Sequence, residues 1–166
     1  MATSQIKVLD SVQGSSFLTS QAVMGVFKRH TPDIAPATIE VIRDGGSEFV
    51  VFTDKNRQFG VRAGTQVELN ANDLHALLTN KDRIKVDALQ GSSFLAIEAA
   101  MEVFKRRNPD LAWYKIEVVR DGEFVVVIFS DKDRPEGSKG NLSPRLGFEA
   151  VLDARDRRVL RSHFIR

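Results

Sequence analysis

Apolar and polar positions follow two different rhythms along this chain. Phe17, Leu18, Ala22, Met24, Val26 and Phe27 recur at helical spacing, which lays them on one broad apolar face. Lys28-Arg29-His30 come in the last turn of that predicted helix, where positive charge meets the negative end of the helix dipole. Thr31-Pro32 then stops it. From Thr38 to Arg43 the chain turns β-branched. Asp44-Gly45 supplies a turn in which Gly accepts a positive φ, and Phe49 to Thr53 returns as the second strand. A shorter hairpin is expected from Phe59 to Arg62 and Gln66 to Leu69. Asn72 is read as the cap of a short helix, Asp73 to Leu78, and Asn80-Lys81-Asp82-Arg83 as a linker.

The pattern then starts again. Gln13-Gly14-Ser15-Ser16-Phe17-Leu18 recurs, 77 residues on, as Gln90-Gly91-Ser92-Ser93-Phe94-Leu95. The same shift carries Met24 to Met101, Val26-Phe27-Lys28-Arg29 to Val103-Phe104-Lys105-Arg106, and Pro32-Asp33 to Pro109-Asp110. Ile39-Glu40-Val41-Ile42-Arg43-Asp44-Gly45 returns as Ile116-Glu117-Val118-Val119-Arg120-Asp121-Gly122. After a small slip, Glu48-Phe49-Val50-Val51 matches Glu123-Phe124-Val125-Val126, and Asp54-Lys55-Asn56-Arg57 matches Asp131-Lys132-Asp133-Arg134. A run of this length is an internal repeat.

Each copy therefore predicts a helix followed by two hairpins, with Ser15-Ser16 and Ser92-Ser93 as N-caps. Ile6-Lys7-Val8 and Ile84-Lys85-Val86 are candidate short strands ahead of the helices. The expected fold is α+β: a tandem duplication of a helix packed across a four-stranded antiparallel sheet, with domains at 1–80 and 81–166. The second copy closes with Phe148 to Leu152, a turn at Asp153 to Arg157, and Arg158 to Ile165. In that last strand Leu160 and Phe164 are expected on the buried face, with Arg161 and His163 on the wet one.

Composition narrows the chemistry. Eleven Phe against one Trp and one Tyr points to Phe-filled cores. With no Cys, disulfides, thiolate metal sites and thiol nucleophiles are excluded. Lys plus Arg is 24 and Asp plus Glu 22, a net charge of +2. That is too small a surplus to argue for nucleic acid. No apolar run nears the roughly 20 residues needed to cross a bilayer, and Met1 to Ile6 shows no secretory signal pattern. The expected protein is cytoplasmic, with no membrane and no nucleic-acid partner.

The helix ending at Pro109, the Asp121-Gly122 hairpin and the stretch Gly147 to Asp153 followed by Arg158-Val159-Leu160 together resemble the cystatin-like superfamily. Within it they resemble bacterial immunity proteins of nuclear-transport-factor-like fold and peptidase-propeptide-like modules. The resemblance implies a helix across a curled antiparallel meander. Gln21-Ala22-Val23-Met24-Gly25 also spells the Gln-x-Val-x-Gly signature of cystatin inhibitors. In that family the signature lies on a hairpin loop that enters the protease cleft. Here it falls inside the predicted helix, and its counterpart is Glu98-Ala99-Ala100-Met101-Glu102.

Catalytic signatures are not legible. His30, His75 and His163 are scattered, with no His-x-x-x-His or His–Glu motif to build a metal site. Asp54-Lys55-Asn56 and Asp131-Lys132-Asp133 read as polar turns rather than a cation loop. Gly14-Ser15-Ser16 and Gly91-Ser92-Ser93 precede helices, where anions are attracted, but capping accounts for the serines. No cofactor, metal or catalytic residue is assigned. The expectation is a non-enzymatic, protein-binding module of immunity or inhibitor type, whose partner is a toxin or a protease. The alternative is a small-molecule-binding or enzymatic domain with a cavity between helix and concave sheet. The candidate partner-binding residues are Lys139 and Arg145, in the long polar loop from Arg134 to Gly147, and Arg155, Arg157 and Arg158 in the basic hairpin.

Overall fold

The computed structural model describes residues 6–104, 110–132 and 147–165. Ten strands and three α-helices follow one another: β1 (Ile6–Gln13), α1 (Gly14–Lys28), β2 (Thr38–Asp44), β3 (Ser47–Asp54), β4 (Arg57–Arg62), β5 (Val67–Glu68), α2 (Ala71–Thr79), β6 (Ile84–Gln90), α3 (Gly91–Phe104), β7 (Tyr114–Asp121), β8 (Phe124–Asp131), β9 (Gly147–Asp153) and β10 (Val159–Ile165). The chain is α+β. Its strands form two antiparallel sheets of five, ordered β5-β4-β3-β2-β6 and β1-β7-β8-β9-β10.

The sheets have five strands, not four, because each takes an edge strand from the other half of the sequence. Strand β1 pairs with β7, and β6 pairs with β2. The compact units follow this pairing: a continuous unit, Ser16–Ser92, and a split unit made of Met1–Ser15 with Ser93–Arg166. They cut across a boundary at 80/81. Asn80 is no interdomain linker; its side-chain amide donates to the Asp44 carboxylate inside the continuous unit at 2.9 Å.

The two exchanged strands sit in matching register. Val12 faces Ile116 where Leu89 faces Ile39, and Asp10 faces Val118 where Asp87 faces Val41; both ladders are interrupted just beyond, at Leu9 and Val86. The matching shift is 77 residues, so Lys7 corresponds to Ile84. The visible Ile-Lys-Val likeness is offset by one from the structural correspondence. Neither exchanged strand is separated from its helix by a loop residue. At those junctions a Cβ on Gly14 would lie 1.9 Å from the Leu111 carbonyl oxygen, and one on Gly91 1.6 Å from that of Ile34. Only glycine lets the backbones approach this closely.

The helices start one or two residues ahead of the serines, which corrects the capping assignment. Ser16, buried in the first turn, donates its hydroxyl to the Asp87 carboxylate and so ties α1 to β6. In α2 the cap is Asn70 rather than Asn72: its side-chain oxygen accepts from the Asp73 amide at 2.8 Å.

Helix α1 lies on one face of the first sheet, with Phe27 stacked on Phe52 at 4.2 Å. In the split unit Phe104 of α3 stacks on Phe129 at 4.7 Å and Phe148 at 4.8 Å and meets Tyr114 edge-on. Phe17, Phe27, Phe94 and Phe104 are all buried, as their helical spacing predicted. In β10 a bulge between Val159 and Arg161 breaks the alternation. Phe164 still packs on Phe148, but Leu160 is 43% exposed instead of buried.

Candidate functional site

The split unit brings two turns side by side at one end of its sheet. Strands β7 and β8 are joined through Gly122, whose φ is +60°, and β9 and β10 through Ala154 to Arg158. The Ala154 amide donates to the Glu123 carbonyl at 3.0 Å, which ties the turns together. Asp153 organises the second turn. Its carboxylate accepts from the Arg155 amide at 2.8 Å, its carbonyl from the Arg157 amide at 2.8 Å, and its own amide donates to the Arg158 carbonyl at 2.9 Å. Asp156 caps the Arg158 amide at 2.9 Å. That Arg155 amide bond holds the Asp153 carboxyl below the usual carboxylate value. Partial desolvation opposes the shift; the Arg155 charge, the Asp156 amide and the Arg158 charge reinforce it.

Two predicted residues, Arg155 and Arg158, project exposed from this turn, and Arg157 is half-buried at a φ of +60°. Phe124, 43% exposed, faces Asp153 across the β8–β9 ladder. A large aromatic therefore sits beside the arginine turn, a juxtaposition the linear sequence hides because 30 residues separate them. Acidic Glu123 and Asp156 are also exposed there, so the tip is a mixed-charge surface and not a uniform basic patch. Lys139 and Arg145 lie outside the described residues, as does the Arg134–Leu146 loop.

The continuous unit holds features that sequence reading missed. His30 Nε2 pairs with Glu68 Oε1 at 2.5 Å, and its ring stacks on Phe59 at 4.0 Å. A His–Glu pair thus exists in space although no motif announces it. Its partners are 38 residues apart, joined only because β5 returns beside the end of α1. Among the described residues no group of three or more His, Cys, Asp or Glu side chains could hold a metal ion.

An open cleft of about 600 Å³ lies between α1 and the turns at one end of the same sheet. Leu18, Thr19 and Ala22 form the helix wall, and Ser47, Glu48, Ala63 and Thr65 are among the residues opposite. Glu48 pairs with Arg43 at 3.7 Å, both side chains substantially exposed. Phe27 and Phe52 fill the centre of this helix–sheet interface, and the cleft lies at its edge. Gln21 to Gly25 lie within α1, in helical form and not on a loop.

No family model, curated protein or solved structure matches this chain. No described helix is long and apolar enough to cross a membrane.

Proposed function

We propose that this chain is a non-enzymatic protein-binding module, of immunity or inhibitor type, that occludes a toxin or protease through the paired turns of the split unit. In this reading the chain is a tandem duplication of a cystatin-like unit, cytoplasmic and without cofactor. The reciprocal register of β1 and β6 supports the duplication.

The observation that carries the binding reading is exposed Phe124 beside Arg155 and Arg158 on a turn stiffened by Asp153 and Asp156. Aromatic and arginine side chains dominate the energetics of protein interfaces, and a turn with its backbone amides already bonded loses little entropy on binding. The interspersed acids favour a protein surface over a polyanion, which rewards an uninterrupted positive field.

The test is isolation of the partner from native cells, then titration against the purified chain. Truncating Phe124 to Ala, or reversing charge with Arg155→Glu and Arg158→Glu, is expected to weaken binding roughly 30-fold or more, the scale of a hot-spot loss. Added salt should slow association of the wild type more than that of the charge-reversed form. Unchanged affinity in all three variants would remove the tip from the binding surface.

A further inference from the structure

The cleft in the continuous unit gains meaning from its counterpart in the split unit. Strand pairing identifies the equivalent positions: Arg43 faces Glu48 where Arg120 faces Val125. The Ala63 amide bonds the Glu48 carbonyl at 2.9 Å where Leu152 faces Val125. On the helix, Thr19 corresponds to Ala96 by the 77-residue repeat. In the split unit this place is filled: Val125, Leu152 and Ala96 are all buried. In the continuous unit the same positions hold a carboxylate, a small side chain and a hydroxyl, and the space stands open. The repeat accommodates apolar residues at these positions, so filling the interface does not require the Glu48 carboxylate.

The chemistry of the lining selects a ligand. Glu48 extends from β3 on the same sheet face as Val50 and Phe52, the face covered by α1. Its Arg43 partner stands 3.7 Å away, with the Arg43 side chain 51% exposed. Such an exposed pair is weak and readily yields to a better-placed cation. Arg62, the other charged residue at the rim, has its guanidinium 5.3 Å over the Phe49 ring. Phe49 belongs to the opposite face of the sheet, so the charges on the helix side are Glu48 and the Arg43 opposite it. Leu18, Ala22 and Ala63 give the adjoining surface an apolar character. The volume lies within the range typical of small-molecule sites, about 300–1,000 Å³.

We infer that this cleft binds a small organic ammonium ion, the charged nitrogen on Glu48 and the carbon chain along Leu18, Ala22 and Ala63. The site is separate from the turn surface of the split unit and stands or falls without it.

The test is an amide NMR titration of the full chain with n-hexylammonium chloride, sodium hexanoate and 1-hexanol. The ammonium is expected to shift Thr19, Glu48 and Ala63 saturably and to bind roughly tenfold tighter than either control, the increment of one charge-assisted contact. Glu48→Gln should raise its Kd by about the same factor. Ala63→Leu, which copies Leu152, should fill the cleft and abolish the shifts. Because Glu48 is partly exposed, its variant preserves the readout even if Ala63→Leu disturbs the fold. Equal binding of hexanol and hexylammonium, or a Glu48→Gln Kd equal to the wild type, would overturn the assignment.

Discussion

The second faces of the two sheets, those turned away from α1 and α3, are treated differently. In the continuous unit α2 covers this face: Leu77 packs on Ile42, Phe49 and Val51, with Leu69, Leu74 and Leu78 around them. In the split unit the corresponding Val126 and Ile128 are half-buried, and no helix follows β10 among the described residues. One position marks the divergence. Gly60 pairs with Val51 where Glu149 pairs with Ile128. A Cβ on Gly60 would come within 2.8 Å of a Leu74 methyl and 3.1 Å of a Leu69 methyl. Glycine there lets leucines descend onto the sheet; glutamate keeps the face partly polar. Strand β5 stops after two residues and the chain turns at Asn70 into α2, whereas β10 runs for seven. In the continuous unit a glycine and a capping asparagine thus admit a third layer over the second face; among the described residues no helix follows the last strand of the split unit.

The largest expected effect tests that contrast directly. Val51→Asp places a carboxylate under α2, where Val51 is fully buried, and should cost about 4 kcal/mol or more. Ile128→Asp, at the equivalent half-buried position, should cost only about 1–2 kcal/mol. Urea midpoints measure both, and equal losses would break the comparison. Next is Gly60→Glu, which copies the split unit: displacement of Leu74 and Leu69 should cost about 3 kcal/mol and raise hydrogen exchange across α2 while leaving β7–β9 protected. Asn70→Ala removes the cap and should lower stability by about 1 kcal/mol, again with exchange rising first in α2.

The smallest effect belongs to the split unit's turn. The Asp153 carboxyl is lowered in the folded state, so its stabilisation is complete above the unfolded-state value, about 3.9. It disappears as pH falls through the lower folded value. The gap in urea midpoint between wild type and Asp153→Asn should therefore be constant near neutrality and shrink on acidification below about pH 4. A gap that widens there would show that another group organises the turn.

The arginine turn could be read from the chain, since charge runs are local. The cleft and the His30–Glu68 pair could not, because their residues meet only through strand pairing. Matching by identity even misled: Glu48-Phe49 resembles Glu123-Phe124, but both hairpins have equivalent two-residue turns, Asp44 facing Ser47 and Asp121 facing Phe124. The structural shift stays at 77, so Glu48 corresponds to Val125, and Ser47 to exposed Phe124. The apparent slip concealed the cleft and the place of exposed Phe124 beside the arginine turn.

Local physics alone determined the helices, the hairpins and the Phe-filled faces. Apolar period and Asp-Gly turns act over a few residues, and no distant partner is needed to satisfy them. Which sheet each edge strand joins was decided by tertiary structure. With Gln13 and Gln90 running straight into helices, pairing depends on where the backbone can pass, and Gly14 and Gly91 mark the crossing points. The same holds for the second face of each sheet: Gly60 and Glu149 are single letters in the sequence, and only the approach of Leu69 and Leu74 gives the difference its consequence.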